Sequence, residues 1–283
     1  MQAARRRRAG IAAILAVLAL TGPFVQPALG VVRTCTSNTT VVHRWLERNW
    51  TVTSTSSNSY DPFRSSGQYT GSIGTAYVRN LEPCSGEGGA ANSFVLPANI
   101  DSIGSSGQIN GMVQLGYWEQ SSGAREFGYT VSDNNANGCG QFGCMIAASW
   151  AETPELGNRY SFEIRSLSPG GNSWQYRIRD LTDSQTFTFT HFANWSLGER
   201  VWYAYESHDT RSNIGVWTSS ASQVRMTDMK RLHTNGVWSR IDGVNSSDYY
   251  YLNYLASPHV IGSSFPTTTT SGDTFNIYSW DPP

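Results

Sequence analysis

Short runs of alternating hydrophobic and polar residues fill the middle of the chain. They are rich in β-branched and aromatic residues, which is typical of half-buried strands. No window shows the three- or four-residue apolar spacing of an amphipathic helix. The pattern predicts strands over residues 112–119, 126–131, 145–150, 159–167, 174–181, 186–192, 200–207 and 224–229.

Segments rich in glycine, proline, asparagine and serine separate these runs. Residues 169–172, 182–184 and 197–198 are as short as hairpin loops, so consecutive strands are expected to pair antiparallel. Two stacked sheets would bury the aromatic residues of both. We therefore predict an all-β fold, a two-sheet antiparallel β-sandwich that forms a single domain over residues 31–283.

The beginning of this domain has a weaker pattern. Residues 31–107 are rich in serine, threonine, glycine and asparagine, with apolar patches at 41–50, 77–81 and 94–96. We expect this stretch to be irregular. At the other end, residues 275–280 predict one last strand.

The first thirty residues have the order of a secretory signal peptide. Four arginines at 5–8 precede an apolar stretch at 11–20 and a small-residue pattern at 28–30, and we predict cleavage after Gly30. The apolar stretch is about half as long as a membrane span needs. No later segment reaches that length, so we expect a secreted, extracellular monomer without a membrane span.

Composition narrows the choice of partners. Without residues 1–30, lysine and arginine fall from 20 to 16 against 21 acidic residues, which gives a formal net charge of −5. An acidic chain without a basic stripe in its sequence is not typical of nucleic-acid-binding proteins. We expect the partner to be an extracellular polypeptide or a glycan.

The four cysteines all lie in the exported part, and an even count outside the cytoplasm predicts two disulfides. Three pairings are possible. The glycine-rich segment between Cys139 and Cys144 can fold back on itself, so we favour that pair together with Cys35 and Cys84. Zinc sites usually contain two closely spaced Cys or His pairs, and this spacing is absent, so no metal is predicted.

Several hydrolase and metal motifs are absent or incomplete. The sequence contains neither the Gly-x-Ser-x-Gly elbow of serine hydrolases nor the Glu-x-Asp-x-x-Glu strand of sandwich glycosidases. Residues 133–138 place side-chain oxygens at alternate positions before a glycine, as calcium loops do, but Cys144 stands where the bidentate glutamate belongs. Asparagine-rich segments also form turns. No cofactor is predicted, and calcium at 133–138 remains an open alternative.

Gln114 and Glu206 are the most informative polar residues within the predicted strands. Alternation places Gln114 on the face of Trp118, and Glu206 on the face of Trp202 and His208. A carboxylate among tryptophans has a raised pKa, which suits a general base at mildly acidic pH, and an amide can donate to a developing oxyanion. To share one water, the two must face each other across neighbouring strands within about 6 Å. Alternatively, each polar residue faces outward between aromatic residues that cover the opposite sheet.

The stretch from Gln114 to Met226 resembles the glutamic peptidases, or eqolisins, which are secreted, acid-acting endopeptidases with a concanavalin A-like jelly-roll fold. Their Gln-Thr-Gly strand corresponds here to Gln-Leu-Gly at 114–116, and their Tyr-Glu-Trp-Tyr strand to Arg-Glu-Phe-Gly-Tyr at 125–129. Their Ala-Glu-Trp-Ile-Val-Glu strand, which ends in the catalytic glutamate, is similar to Trp-Tyr-Ala-Tyr-Glu at 202–206.

The resemblance implies a peptidase whose catalytic residues are Gln114 and Glu206 and which uses no metal or cofactor. The substrate-binding residues on the same strands would be Trp118, Glu126, Trp202 and His208. The alternative is a non-catalytic carbohydrate- or cell-surface-binding module on the same fold, because glycan sites use aromatic platforms. The tyrosine cluster at 249–254 is the segment best suited to that role.

Overall fold

The computed structural model describes residues 42–50, 53–54, 63–64, 68–81, 92–103, 109–120, 122–133, 145–168, 172–193, 195–209, 224–240, 246–252, 260–262, 268–271 and 274–277. Regular structure in these ranges consists of strands, which confirms the predicted all-β class. None of these ranges contains a helix of the length and apolarity that a membrane crossing needs.

Eighteen strands lie within these ranges. They are β1 (Val42–Trp50), β2 (Thr53–Ser54), β3 (Phe63–Arg64), β4 (Tyr69–Tyr77), β5 (Asn92–Ile103), β6 (Ile109–Gln120), β7 (Arg125–Asp133), β8 (Met145–Ala147), β9 (Arg159–Ser166), β10 (Ser173–Asp180), β11 (Thr186–Phe192), β12 (Arg200–Asp209), β13 (Val224–His233), β14 (Trp238–Arg240), β15 (Ser246–Leu252), β16 (Val260–Gly262), β17 (Thr268–Ser271) and β18 (Thr274–Ile277).

Two large antiparallel sheets contain nearly all of these strands. The first sheet has the order β16-β15-β1-β12-β5-β6-β7-β8, and the second has the order β11-β10-β9-β4-β13-β18-β17, with β14 also paired to β13. The short strands β2 and β3 pair with each other. The predicted two-sheet antiparallel sandwich is confirmed.

The aromatic residues of the two sheets meet in one core. Trp174, Tyr160 and Tyr176 of the second sheet and Tyr117 and Tyr203 of the first are fully buried in it. Full burial of a large apolar side chain stabilises a fold by roughly 1.5–3 kcal/mol. The buried tyrosine hydroxyls remain hydrogen-bonded, and burial raises the pKa of the Tyr117 and Tyr203 hydroxyls.

The stretch 31–107, which was expected to be irregular, contains β1, β4 and β5 among its described residues. β4 and β5 lie inside the second and first sheets, and small residues on β4 let the sheets approach closely. A Cβ on Gly74 would lie 2.2 Å from the Pro97 carbonyl oxygen on β5. The small residues of β4 therefore reflect the close packing of the two sheets at this strand.

Residues 197–198 do not form the expected hairpin loop. β11 belongs to the second sheet and β12 to the first, so this segment connects the two sheets. Gly198 exchanges two backbone hydrogen bonds with Tyr69, at 2.8 and 3.0 Å, at the start of β4. A Cβ on Gly198 would lie 2.1 Å from Ile100, which explains the glycine.

Several sequence-based predictions lie outside the described residues. These are the signal peptide at 1–30, the calcium-loop candidate at 134–138 and the four cysteines Cys35, Cys84, Cys139 and Cys144. Within the residues that the structure does describe, no group of three or more His, Cys, Asp or Glu side chains is placed to hold a metal ion.

The β10–β11 hairpin depends on a carboxylate at its turn. Asp180 Oδ1 accepts hydrogen bonds from the Thr182 and Asp183 amides at 2.6 and 3.1 Å. Burial by itself raises the pKa of the Asp180 carboxyl, but these hydrogen bonds outweigh that effect, and the pKa lies below its ordinary value.

We expect Asp180→Ala to lower the free energy of unfolding at pH 7 by about 1–2 kcal/mol, because two amides lose a charged acceptor. The folded pKa lies below the unfolded value of about 3.9, so this contribution is present at neutral pH and fades as the pH falls through that range. Urea unfolding at pH 7 and pH 3 measures both effects. Asp183→Ala, at an exposed position of the same turn, should change little.

Candidate functional site

The outer face of the first sheet is the face turned away from the second sheet. On β5, β6 and β12, alternate side chains enter the core between the sheets, whereas Leu96, Met112, Trp202 and Ala204 form a separate buried cluster. Because side chains alternate along a strand, these four define the outer face. The register of the strands assigns the other residues to it.

Gln114 lies on the outer face in a row of residues that oppose one another across four strands. It is opposite Thr130 on β7 and Asn99 on β5, and Asn99 is opposite Trp202 on β12. We call this the Gln114 row. Gln114 has 5% of its surface exposed and Trp202 has none. The row is therefore largely withdrawn from solvent.

Glu206 belongs to a second row on the same face. It is opposite Phe94 on β5, Phe94 is opposite Trp118 on β6, and Trp118 is opposite Glu126 on β7. We call this the Glu206 row. His208, two positions further along β12, is on the same face. For Glu206 and His208 the structure describes the backbone pairing, and their side chains lie outside the described part.

β5 separates Gln114 from Glu206. The two rows are four residues apart along β6 and along β12. In a flat sheet their Cα atoms would be about 10 Å apart across the strands and about 13 Å apart along them. The two residues thus share a face, but they do not lie on the neighbouring strands expected for a shared water. A ligand that touches both must cross the sheet diagonally.

Between the two rows, the outer face carries small residues on the strands that flank β5. Gly116 and Gly128 are opposite each other on β6 and β7, and Ala204 lies at the same level on β12. A Cβ on Gly116 would lie 2.0 Å from the Val95 carbonyl oxygen, so β5 can approach only a glycine there. Leu96 of β5, which is opposite Ala204, places a larger side chain at the centre of the diagonal between the rows.

A bulge in β5 sets the alignment of the two rows. Its register against β6 shifts between Val95 and Ala98, a segment that contains Pro97. Proline cannot donate a hydrogen bond to a neighbouring strand and is typical of such positions. The extra residue keeps both Phe94 and Asn99 on the outer face, although they are five positions apart.

Asn99 closes this bulge. Its Nδ2 donates to the backbone oxygens of Leu96 at 2.8 Å and Trp202 at 2.9 Å, and its backbone N–H donates to Ser72 Oγ of the second sheet at 3.2 Å. The Asn99 side chain is fully buried, and its Oδ1 has no hydrogen-bond partner within the described ranges of the chain. One side chain thus ties β5 to β12 within the Gln114 row.

We expect Asn99→Ala to lower the free energy of unfolding by about 1–3 kcal/mol, because two buried carbonyls lose their donor. Chemical denaturation measures the change. Asn172→Ala, at an exposed position, is the matched control and should unfold like the unsubstituted protein. Equal stability of the two variants would show that the bulge does not depend on this amide.

A buried ion pair adjoins the Gln114 row. Arg200 Nε donates to Asp101 Oδ2 at 2.7 Å, and its guanidinium makes a second, shorter contact with the same oxygen. The Arg200 guanidinium carbon is 5.3 Å from the Trp202 ring centroid, within the range of cation–π attraction. Because the opposite charges compensate each other, the pair fixes the end of the row without imposing a net charge.

The register of the strands places all six residues of the predicted site on the outer face of the first sheet. The structure also adds three residues that sequence reasoning missed: Asn99, Asp101 and Arg200. The proline at 97 inside an apolar run was a signal for the bulge that Asn99 closes. Asp101 and Arg200 are 99 positions apart, and no local pattern connects them.

No protein-family model and no curated protein matches the chain. Among solved structures, scytalido-glutamic peptidase with a transition-state analogue inhibitor is similar, with 15% identity, a TM-score of 0.50 and coverage of 85% of this chain and 100% of that chain. SCP-B of the eqolisin family, in complex with the tripeptide Ala-Ile-His, has 16% identity, the same coverages and a TM-score of 0.45.

The PL-14 alginate lyase from Aplysia kurodai is 10% identical, with coverage of 57% of this chain and 80% of that chain and a TM-score of 0.30. At 15% identity, the similarity to scytalido-glutamic peptidase concerns the fold. The chain therefore has a β-sandwich that resembles a glutamic peptidase, as its sequence between Gln114 and Met226 implied.

Proposed function

We propose that the protein is an acid-acting endopeptidase whose active site is the outer face of the first sheet. Glu206 is the general base and Gln114 is the hydrogen-bond donor to the oxyanion. One observation carries the proposal: an amide and a carboxylate residue lie on one face, on the two strands that flank β5.

The reaction in this proposal is the addition of water to a peptide carbonyl. The Glu206 carboxylate takes a proton from water as the oxygen attacks the carbonyl carbon, and the Gln114 amide N–H donates to the oxygen that becomes negative. The Glu206 carboxyl then gives its proton to the leaving nitrogen as the C–N bond breaks. The products are a carboxylic acid and an amine, and Glu206 returns to its ionised form.

An extended peptide fits the proposed site better than a compact ligand. In this proposal the scissile bond lies on the diagonal between Gln114 and Glu206, where it passes Leu96 of β5. The peptide would then run past Trp118 and Glu126 on one side of the diagonal. Export and two disulfides, as predicted from the sequence, belong to the same proposal, because the substrate is an extracellular polypeptide.

The decisive experiment measures cleavage of acid-denatured casein by the purified protein between pH 2 and 6. We expect cleavage in this range and a drop in kcat/KM of about 10²–10³-fold in Gln114→Ala, the usual effect of removing one oxyanion donor. Gln185→Ala changes an exposed amide in the β10–β11 turn and should retain full activity. Unchanged activity in Gln114→Ala would exclude the assigned role.

A glycan-binding module is the second candidate, and the register of β15 favours it. Tyr251 is opposite Trp45, which is opposite Glu206, so Tyr251 belongs to the outer face. Trp118 and Trp202 are nearly or fully buried and offer no stacking platform. Retention on insoluble polysaccharide without casein cleavage at any pH would support this candidate against the peptidase.

A further inference from the structure

The outer face of the second sheet, on the opposite side of the molecule, gathers three arginines around one tyrosine. Arg159 on β9 and Arg225 on β13 are both directly opposite Tyr77 on β4, and Arg79 follows Tyr77 by two positions. Their guanidinium carbons lie 5.9, 4.9 and 5.3 Å from the Tyr77 ring centroid. We call these four residues the arginine cluster.

Positive charge in the arginine cluster is only partly compensated. Cation–π attraction to one ring offsets part of the repulsion between three guanidinium groups. No ion pair to a carboxylate involves any of the three within the part of the chain that the structure describes. Burial, together with the nearby Arg225 charge, lowers the pKa of Arg79.

Two donors in the arginine cluster are buried and unused. The Nε atoms of Arg79 and Arg225 have no hydrogen-bond partner among the residues that the structure describes. Nε and one Nη form the edge of a guanidinium that binds two oxygens of a carboxylate or phosphate side by side. A buried donor without a partner is destabilising, so an acceptor that entered here would relieve that cost as well as form new bonds.

Other residues extend the positive charge across this face. Glu163 pairs with Arg165 and Arg177, which neutralises part of that region. Arg179 and Lys230 also lie on β10 and β13 of this sheet. The sequence disperses these residues at alternate positions of separate strands, which is why no basic stripe is visible in it.

We propose that the arginine cluster is a binding site for a phosphate group carrying two negative charges, either free phosphate or a phosphomonoester. Three guanidinium groups without a carboxylate favour a dianion over a monoanion, because each oxygen can accept a charge-assisted hydrogen bond. A tetrahedral oxyanion would supply an acceptor for the Nε atoms of Arg79 and Arg225, which both belong to guanidinium groups beside the Tyr77 ring. Arg159 lies beside the same ring and is exposed to solvent.

Isothermal titration calorimetry with the whole protein at pH 7.5 tests this proposal, with inorganic phosphate and O-phosphoserine as separate probes at constant ionic strength. We expect saturable binding of at least one probe. The probe that binds more tightly shows whether the ligand is free phosphate or a phosphomonoester. Sodium chloride at the same ionic strength should give no binding heat. Absence of binding by both probes, or equal competition by chloride, would overturn the proposal.

Variants locate the site. Arg159→Gln changes an exposed side chain and should leave the fold intact while weakening binding about tenfold or more, and Arg225→Gln should weaken it at least as much. Arg179→Gln removes a charge from the same face away from Tyr77 and should retain the affinity. Equal loss in Arg179→Gln and Arg159→Gln would show diffuse attraction instead of a site. Circular dichroism checks the fold of each variant.

Discussion

Glu206→Gln should lower kcat/KM for casein cleavage by about 10²–10⁴-fold, the range that general-base catalysis contributes. Glutamine has nearly the size and shape of glutamate, so the substitution removes the ability to take a proton and little else. The residue lies inside β12, between β1 and β5, where the backbone pairing does not depend on the carboxylate. The measurement is a pH–rate profile between pH 2 and 6.

The shape of that profile adds a second test. If Glu206 must be ionised to act, the activity falls on the acidic side through the pKa of this carboxyl, and that limb disappears in Glu206→Gln. Glu155→Gln, which changes an exposed carboxylate in the loop before β9, should keep the full profile. Activity that survives in Glu206→Gln with an unchanged acidic limb would assign the chemistry to another group.

Local patterning predicted the strands that have one buried and one exposed side. β11 matches its predicted range residue for residue, because Thr and Phe alternate along it and it buries only one face. β4 was missed except for its end. Gly71, Ser72 and Gly74 lie where the two sheets approach closely, and such positions need small residues instead of apolar ones.

The sequence also predicted on which face of its strand each candidate residue lies. It did not predict which strands lie next to that residue in the sheet. Alternation is a local property, so Gln114 and Trp118 were placed together correctly. The order of strands in a sheet depends on contacts between distant segments. β5, from the stretch expected to be irregular, lies between β6 and β12 and therefore between Gln114 and Glu206.

The buried ion pair between Asp101 and Arg200 is also a contact between distant segments, which local patterns do not predict. Its disruption has the largest expected effect on stability. Arg200→Met should lower the free energy of unfolding by about 3–5 kcal/mol, because it leaves the Asp101 carboxylate buried without its arginine. Arg200 and Asp101 are 4% and 0% exposed, so water cannot replace the lost partner without opening the sheet. Guanidinium chloride unfolding measures the change, and Arg179→Met, on an exposed arginine, is the control.

A double variant separates the destabilisation caused by an unpaired charge from the net contribution of the ion pair to the free energy of unfolding. Replacing both partners, in Asp101→Leu with Arg200→Met, removes the charges together, and such replacements are often neutral or stabilising. We therefore expect the double variant to recover most of the stability that Arg200→Met loses. A double variant as unstable as the single one would instead show that the geometry of the pair holds β5 against β12. In that case Asp101 and Arg200 would act, with Asn99, as the structural support on which the alignment of Gln114 and Glu206 depends.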